Sequence, residues 1–261
     1  QAVGTATAWL GDLVQGECWG RVHWVAIRPE FQGRGLGRPL MTVVCERLRL
    51  ETKEPELGPW KQMVERILRP SHQVRIAVVG EYSEQHDAYK SVQEALIHGG
   101  IGNDAGVRID WISSDRFVDQ EAAGEILKDY DGLLIPGGLG IRGIEGMIQG
   151  IRWAREHELP FFGICLGLQM AVVEFARTMC LLPNANSTEF DQESDAPVIH
   201  MMAAQRDVVN LGGTMRLGAY TARLRPNSKA AQAYGTQEIS ERHRHRFEVN
   251  NAYRDVLAEY G

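Results

Sequence analysis

The sequence predicts an α/β fold built on a doubly wound, mostly parallel sheet, and three observations carry that expectation. From residue 74 onward, short apolar runs alternate with amphipathic stretches of roughly 10–15 residues, the rhythm of βαβ units. Two of those runs end in glycine-rich turns, Pro136-Gly137-Gly138-Leu139-Gly140 and Gly163-Ile164-Cys165-Leu166-Gly167. Both turns follow the carboxyl ends of their strands, where open parallel sheets bind ligands.

The elements follow in order. Ala2 to Leu10 is β-prone, Gly11-Asp12 reads as a turn, and Arg21 to Ile27 alternates as a second strand. The loop Arg28 to Pro39 is rich in glycine and feeds an amphipathic helix ending near Arg49; Pro39 is tolerated there because the first helical turn does not use its N–H. Residues 51–73 contain Pro55, Pro59 and Pro70 around a short helix, Trp60 to Leu68, and read as a linker. Beyond it come strand Val74–Gly80, helix Ala88–Gly99 stopped by glycine, strand Val107–Ile112 and helix Gln120–Asp129. Strand Gly132–Ile135, helix Ile144–His157, strand Phe161–Ile164 and helix Leu166–Arg177 complete the pattern.

Composition narrows the function classes. At 261 residues the chain can bury one large core or two small ones. A net charge of −6 gives no reason to expect a nucleic-acid partner, and no apolar run reaches membrane-spanning length. Cys18, Cys45, Cys165 and Cys180 are scattered without paired spacing, so neither a disulfide framework nor a metal site is expected. A reducing, cytoplasmic setting is the plain inference. Residues 1–50 carry 6 Lys/Arg against 4 Asp/Glu, whereas the rest carry 22 against 30, which suggests two parts of different origin. The start at Gln1, without methionine, looks cut.

Cys165 is the residue with the clearest chemistry. Glycines two positions to either side reproduce the spacing of a nucleophile elbow with Cys in place of Ser. A helix beginning just after the thiol offers free N–H groups and partial positive charge, which are expected to lower its pKa. The glycines of Pro136 to Gly140 would let backbone N–H groups face a developing oxyanion. Against this stands the ordinary role of free Cys as a small buried hydrophobe.

Two resemblances follow from these motifs. The loop with Gln32, Gly33, Gly35 and Gly37, preceded by strand Val22–Ile27, resembles the pyrophosphate-cradling motif of GNAT acetyltransferases. Residues 1–50 would then be a partial domain with an acetyl-CoA loop, too short to acetylate an acceptor. Residues from about 51 to 261 resemble the class I glutamine amidotransferase domain of the CTP synthase family. The motifs that carry this are Pro136-Gly137-Gly138, Gly163 to Gln169, Asn184 to Phe190, Leu211 to Gly218 and Glu241 to Asn251.

The second resemblance implies a set of roles. Cys165 would attack the side-chain amide of L-glutamine and form a thioester, with the N–H groups of Gly138 and Leu166 holding the oxyanion. Gly167 and Leu168 would also bind the glutamine, Gln169 and Glu189 would contact its amino-acid end, with the Glu189 carboxylate pairing with the ammonium, and Arg246 would meet its carboxylate. The ammonia would aminate UTP on a synthase domain that uses ATP and Mg, with GTP as activator, in a homo-oligomer of tetrameric type. The chain departs from the family in one respect: His-Pro occurs nowhere, so the His-Pro-Glu that supplies the general base is missing before Gly261. His243 and His245 belong to the substrate segment instead. The chain is therefore expected to be inactive alone. An acetyl-CoA-binding module and a non-catalytic partner domain are the competing readings.

Overall fold

The computed structural model describes residues 4–14, 17–27, 29–49, 56–80, 89–138, 140–208 and 213–261. It divides into two compact units, residues 1–61 and 62–261. The expected segments at Ala2, Arg28, 51–55, Ala88, Leu139 and Leu211-Gly212 fall outside the described residues.

The first unit holds an antiparallel hairpin, β1 (Gly4–Val14) with β2 (Glu17–Ile27), and helix α1 (Gly37–Leu48). The Gly11-Asp12 turn expected from the sequence is not there, because both residues lie inside β1. The register slips between Leu10 and Asp12, so Gly11 absorbs a β-bulge instead of reversing the chain. Helix α2 (Gly58–Leu68) follows.

The second unit confirms the α/β architecture. Strands β3 (His72–Gly80), β4 (Ala105–Ser113), β5 (Gly132–Ile135) and β6 (Phe161–Gly163) form a wholly parallel sheet in the order β4-β3-β5-β6. Helices α3 (Lys90–Gly102), α4 (Gln120–Leu127) and α5 (Ile144–Glu156) make the crossovers, and α6 (Leu166–Thr178) leaves the last strand. The chain steps from β3 to β4, then returns past β3 to β5. Right-handed crossovers therefore place α3 on one face of the sheet and α4 and α5 on the other. This reversal opens a crevice at the carboxyl ends of β3 and β5.

The central strands β3 and β5 carry continuous apolar runs, 76–79 and 133–135, because both faces are covered there. Ala77, Val78, Val79 and Ile135 are fully buried, and Phe117, Leu127, Met170 and Val173 close over them. Between α5 and α6, Arg155 grips the buried carboxylate of Glu174 with two bonds of 2.8 and 3.0 Å. Asp119 caps α4 by accepting from the N–H of Ala122 at 2.8 Å.

Helix α3 runs three residues beyond the stop expected at Gly99. Its paired glycines have different roles. A Cβ on Gly99 would meet nothing within 4 Å, whereas one on Gly100 would lie 2.5 Å from Val107 Cγ2 and 2.6 Å from the Ala105 carbonyl oxygen. Gly100 thus allows α3 to seat on β4, and Asn103 ends the helix by donating to the Gly99 carbonyl at 2.8 Å.

Beyond α6, β7 (Ala185–Ser187) pairs parallel with β8 (Ala196–Met201). A hairpin of β9 (Arg216–Arg223) and β10 (Glu238–Arg244), with α7 (Lys229–Tyr234) between, precedes β11 (Phe247–Val249) and α8 (Arg254–Tyr260). β11 adds antiparallel to β8, giving a second sheet in the order β11-β8-β7. Among the described residues no helix is long and apolar enough to cross a membrane.

Candidate active site

Cys165 stands between β6 and α6 with φ 55° and ψ −107°, a region that an L-residue enters only when its surroundings force it. The forcing is visible on both sides. Ile164 N–H donates to the Ile135 carbonyl at 2.9 Å, tying the elbow to β5, and Gly167 N–H donates to the Ile164 carbonyl at 3.0 Å. The two glycines are sterically required. A Cβ on Gly163 would sit 2.5 Å from the Gly167 carbonyl carbon and 2.6 Å from Leu168 N, and one on Gly167 would run into the Ile135 carbonyl oxygen.

The second glycine-rich turn reaches the same place from β5. A Cβ on Gly137 would lie 3.3 Å from Cys165 Cβ, and one on Gly138 would lie 3.1 Å from Leu166 Cδ2. The turn therefore passes against the thiol with its backbone exposed to it. Leu166 side chain is buried, so what it offers the site is its N–H, which is directed at the Cys165 sulfur. Leu168 is 53% exposed and turns to solvent.

The thiol is not activated in the way the sequence suggested. Burial pushes the Cys165 pKa up; the Leu166 N–H pulls it down by less, and the charge of Glu189 adds to the rise. Desolvation outweighs the helix terminus because the thiol is half-buried beneath the two turns. Glu189 follows β7, with its N–H donating to Ser187 Oγ at 3.2 Å and its Oε1 accepting from the Gly140 N–H at 3.4 Å. Burial raises its pKa too, partly offset by that Gly140 bond.

Gln169 is one turn into α6 and buried. Its Nε2 donates to the Phe247 carbonyl at 3.1 Å, which draws the start of β11, and Arg246 beside it, to the first turn of the elbow helix. Arg246 Nη1 donates to Gln205 Oε1 at 3.1 Å and Nη2 to Thr214 Oγ1 at 3.0 Å. The structure thus brings Gly138, Leu166 and Gly167 to the Cys165 elbow, sets Glu189 within electrostatic reach of the thiol, and ties Arg246 to the elbow helix through Gln169. Sequence reading missed Gln205, an isolated glutamine in a 3-10 turn with no motif around it.

Among the described residues the groups that act on the Cys165 thiol are Leu166 and Glu189, and no histidine is one of them. His243 and His245 stack edge-on at 5.4 Å on the hairpin side, and burial pushes His245 down. His200 approaches Glu248 at 3.7 Å, but Glu248 alternates with Phe247 and Val249, which pack into the core, so this pair faces the other way. Among the described residues no group of three or more His, Cys, Asp or Glu could hold a metal ion. In the first unit, Gln32 N–H donates to the Pro29 carbonyl, and Gly33 and Gly35 take left-handed φ of 73° and 70° ahead of α1, which begins at Gly37.

A strained cysteine elbow on a parallel sheet, faced by a glycine turn from the neighbouring strand, defines a class I glutamine amidotransferase domain. The chain belongs to that family: residues 85–259 match the family model for glutamine amidotransferase class-I. Its relatives include CTP synthases, among them those of Symbiobacterium thermophilum, 49% identical over 95% of this chain, and Geotalea uraniireducens, 51% identical over 84%. The chain spans less than half the length of these relatives, 46% and 41% respectively. The glutaminase domain of Trypanosoma brucei CTPS, solved with acivicin bound, is 36% identical with a TM-score of 0.66, covering 72% of each chain. Residues 1–56 match the acetyltransferase (GNAT) family model.

Proposed function

We propose that residues 62–261 form the glutaminase part of a CTP synthase, releasing ammonia from L-glutamine for the ATP-dependent amination of UTP. The observation that carries this reading is Cys165 held at positive φ against the Gly137-Gly138 turn. Sγ would attack the side-chain amide carbon, the C–N bond would break, ammonia would leave, and a thioester would remain for water to hydrolyse. The N–H groups of Gly138 and Leu166 would stabilise the oxyanion, and Glu189 would meet the substrate ammonium. A bound ammonium beside Glu189 would also offset the charge that now raises the thiol pKa.

The sulfur must lose a proton and the departing nitrogen must gain one, a task for a histidine held by a carboxylate. No His-Pro-Glu occurs in residues 1–261, so a polypeptide of these residues alone should turn glutamine over slowly or not at all. ATP, Mg and UTP would belong to the synthase part of the enzyme, GTP would activate it, and the whole would assemble as a homo-oligomer. The test is labelling by acivicin with mass spectrometry of the adduct. A single adduct on Cys165, blocked by L-glutamine, supports the reading; labelling elsewhere, or none that glutamine blocks, overturns it.

A further inference from the structure

Resting on the glutaminase reading above, we propose that Gln205 is a positioning residue that presents Arg246 to the α-carboxylate of the substrate. Gln205 is 5% exposed, and a buried amide must satisfy both its ends. One end donates from Nε2 to the Thr214 carbonyl at 3.1 Å, and the other accepts from Arg246 Nη1 at 3.1 Å. Thr214 Oγ1 accepts from Arg246 Nη2 at 3.0 Å, so the two acceptors hold both terminal nitrogens of the guanidinium. The backbone is tied in as well. Gln205 N–H donates to the Met202 carbonyl at 2.9 Å, and Met202 N–H donates to the Arg246 carbonyl at 2.8 Å.

The chemistry of these acceptors matters. Both accept from terminal nitrogens, so they help fix the plane of the guanidinium, and a carboxylate ligand needs that plane aimed for a two-bond approach. Arg246 is next to Phe247, whose carbonyl is held by Gln169 one turn after Cys165. The clamp therefore orients a guanidinium on a segment that the Gln169 bond ties to the elbow helix. Its three members come from the turn after β8, the loop before β9 and the bend before β11, and they meet only in the fold.

The experiment measures how L-glutamine protects Cys165 of the full chain from iodoacetamide, beside 4-aminobutanamide, which is glutamine without its α-carboxylate. Gln205→Leu removes both bonds. Gln205→Glu keeps an acceptor for Arg246 but cancels its charge, and it serves where the leucine variant fails to fold. Each variant should raise the half-protecting concentration of glutamine about tenfold or more, the scale of one lost charge-assisted hydrogen bond. The value for 4-aminobutanamide should stay within twofold of wild type. Equal loss for both ligands would mean a merely structural role, and unchanged glutamine protection in Gln205→Glu would refute the clamp. If glutamine fails to protect the wild-type chain, the glutaminase reading itself falls, an outcome separable from the other two.

Discussion

Replacing Gly163 with alanine places a methyl group where the elbow has no room. The added carbon would lie 2.5 Å from the Gly167 carbonyl carbon, 2.6 Å from its oxygen and 2.6 Å from Leu168 N. All three are backbone atoms of the first turn of α6, and none can swing aside as a side chain would. Overpacking of this kind costs about 1–3 kcal/mol, and a backbone obstacle puts Gly163→Ala at the upper end, about 3 kcal/mol. For a unit of this size that corresponds to a melting temperature lower by about 6–12 °C. The same change at Gly99 has the opposite sign. No atom lies within 4 Å of a Cβ there, and alanine in a helix interior gains up to about 1 kcal/mol over glycine. Thermal unfolding followed by circular dichroism compares the two, with iodoacetamide labelling of Cys165 reporting whether the elbow has opened. Gly163→Ala melting within 2 °C of wild type, a margin that is small beside the roughly 6–12 °C expected, would show the steric argument to be wrong.

Three further outcomes are expected. Arg155→Met leaves the Glu174 carboxylate buried without its partner and should cost about 3–5 kcal/mol, most of it regained in Arg155→Met/Glu174→Leu, as read from urea denaturation. Glu189 has a folded pKa raised by burial, so the folded state holds its proton longer than the unfolded chain does. Stability should therefore fall as pH rises from the ordinary glutamate value through the raised one, and Glu189→Gln should flatten that slope in a series of urea midpoints. Cys165 should react with iodoacetamide along a pH profile whose midpoint lies above that of an ordinary thiol, and Glu189→Gln should shift the midpoint down by removing the neighbouring charge.

Parts of the site were legible in the linear chain because they are local. Gly163, Cys165 and Gly167 sit within five residues, and a strand-to-helix turn at that spacing needs glycine at both flanks whatever the rest of the protein does. The same held for Pro136 to Gly140 at the end of β5. Local reading misled where a neighbour distant in sequence took over. Gly11 looked like a turn and is a bulge against β2. Gly99 looked like a helix stop, yet it was Gly100, pressed on β4, that had a packing reason to be glycine.

The α/β class, the order of the main elements and the glycine-flanked elbow at Cys165 were readable along the chain, because hydrophobic period and glycine spacing act over a few residues. The environment of the thiol and the partners of Arg246 emerged in three dimensions alone. A pKa depends on how much water the fold removes from the sulfur, and on the carboxylate that the loop after β7 brings near it. The Gln205–Thr214–Arg246 clamp joins residues 9 to 41 positions apart, and no local pattern encodes a contact made at that range.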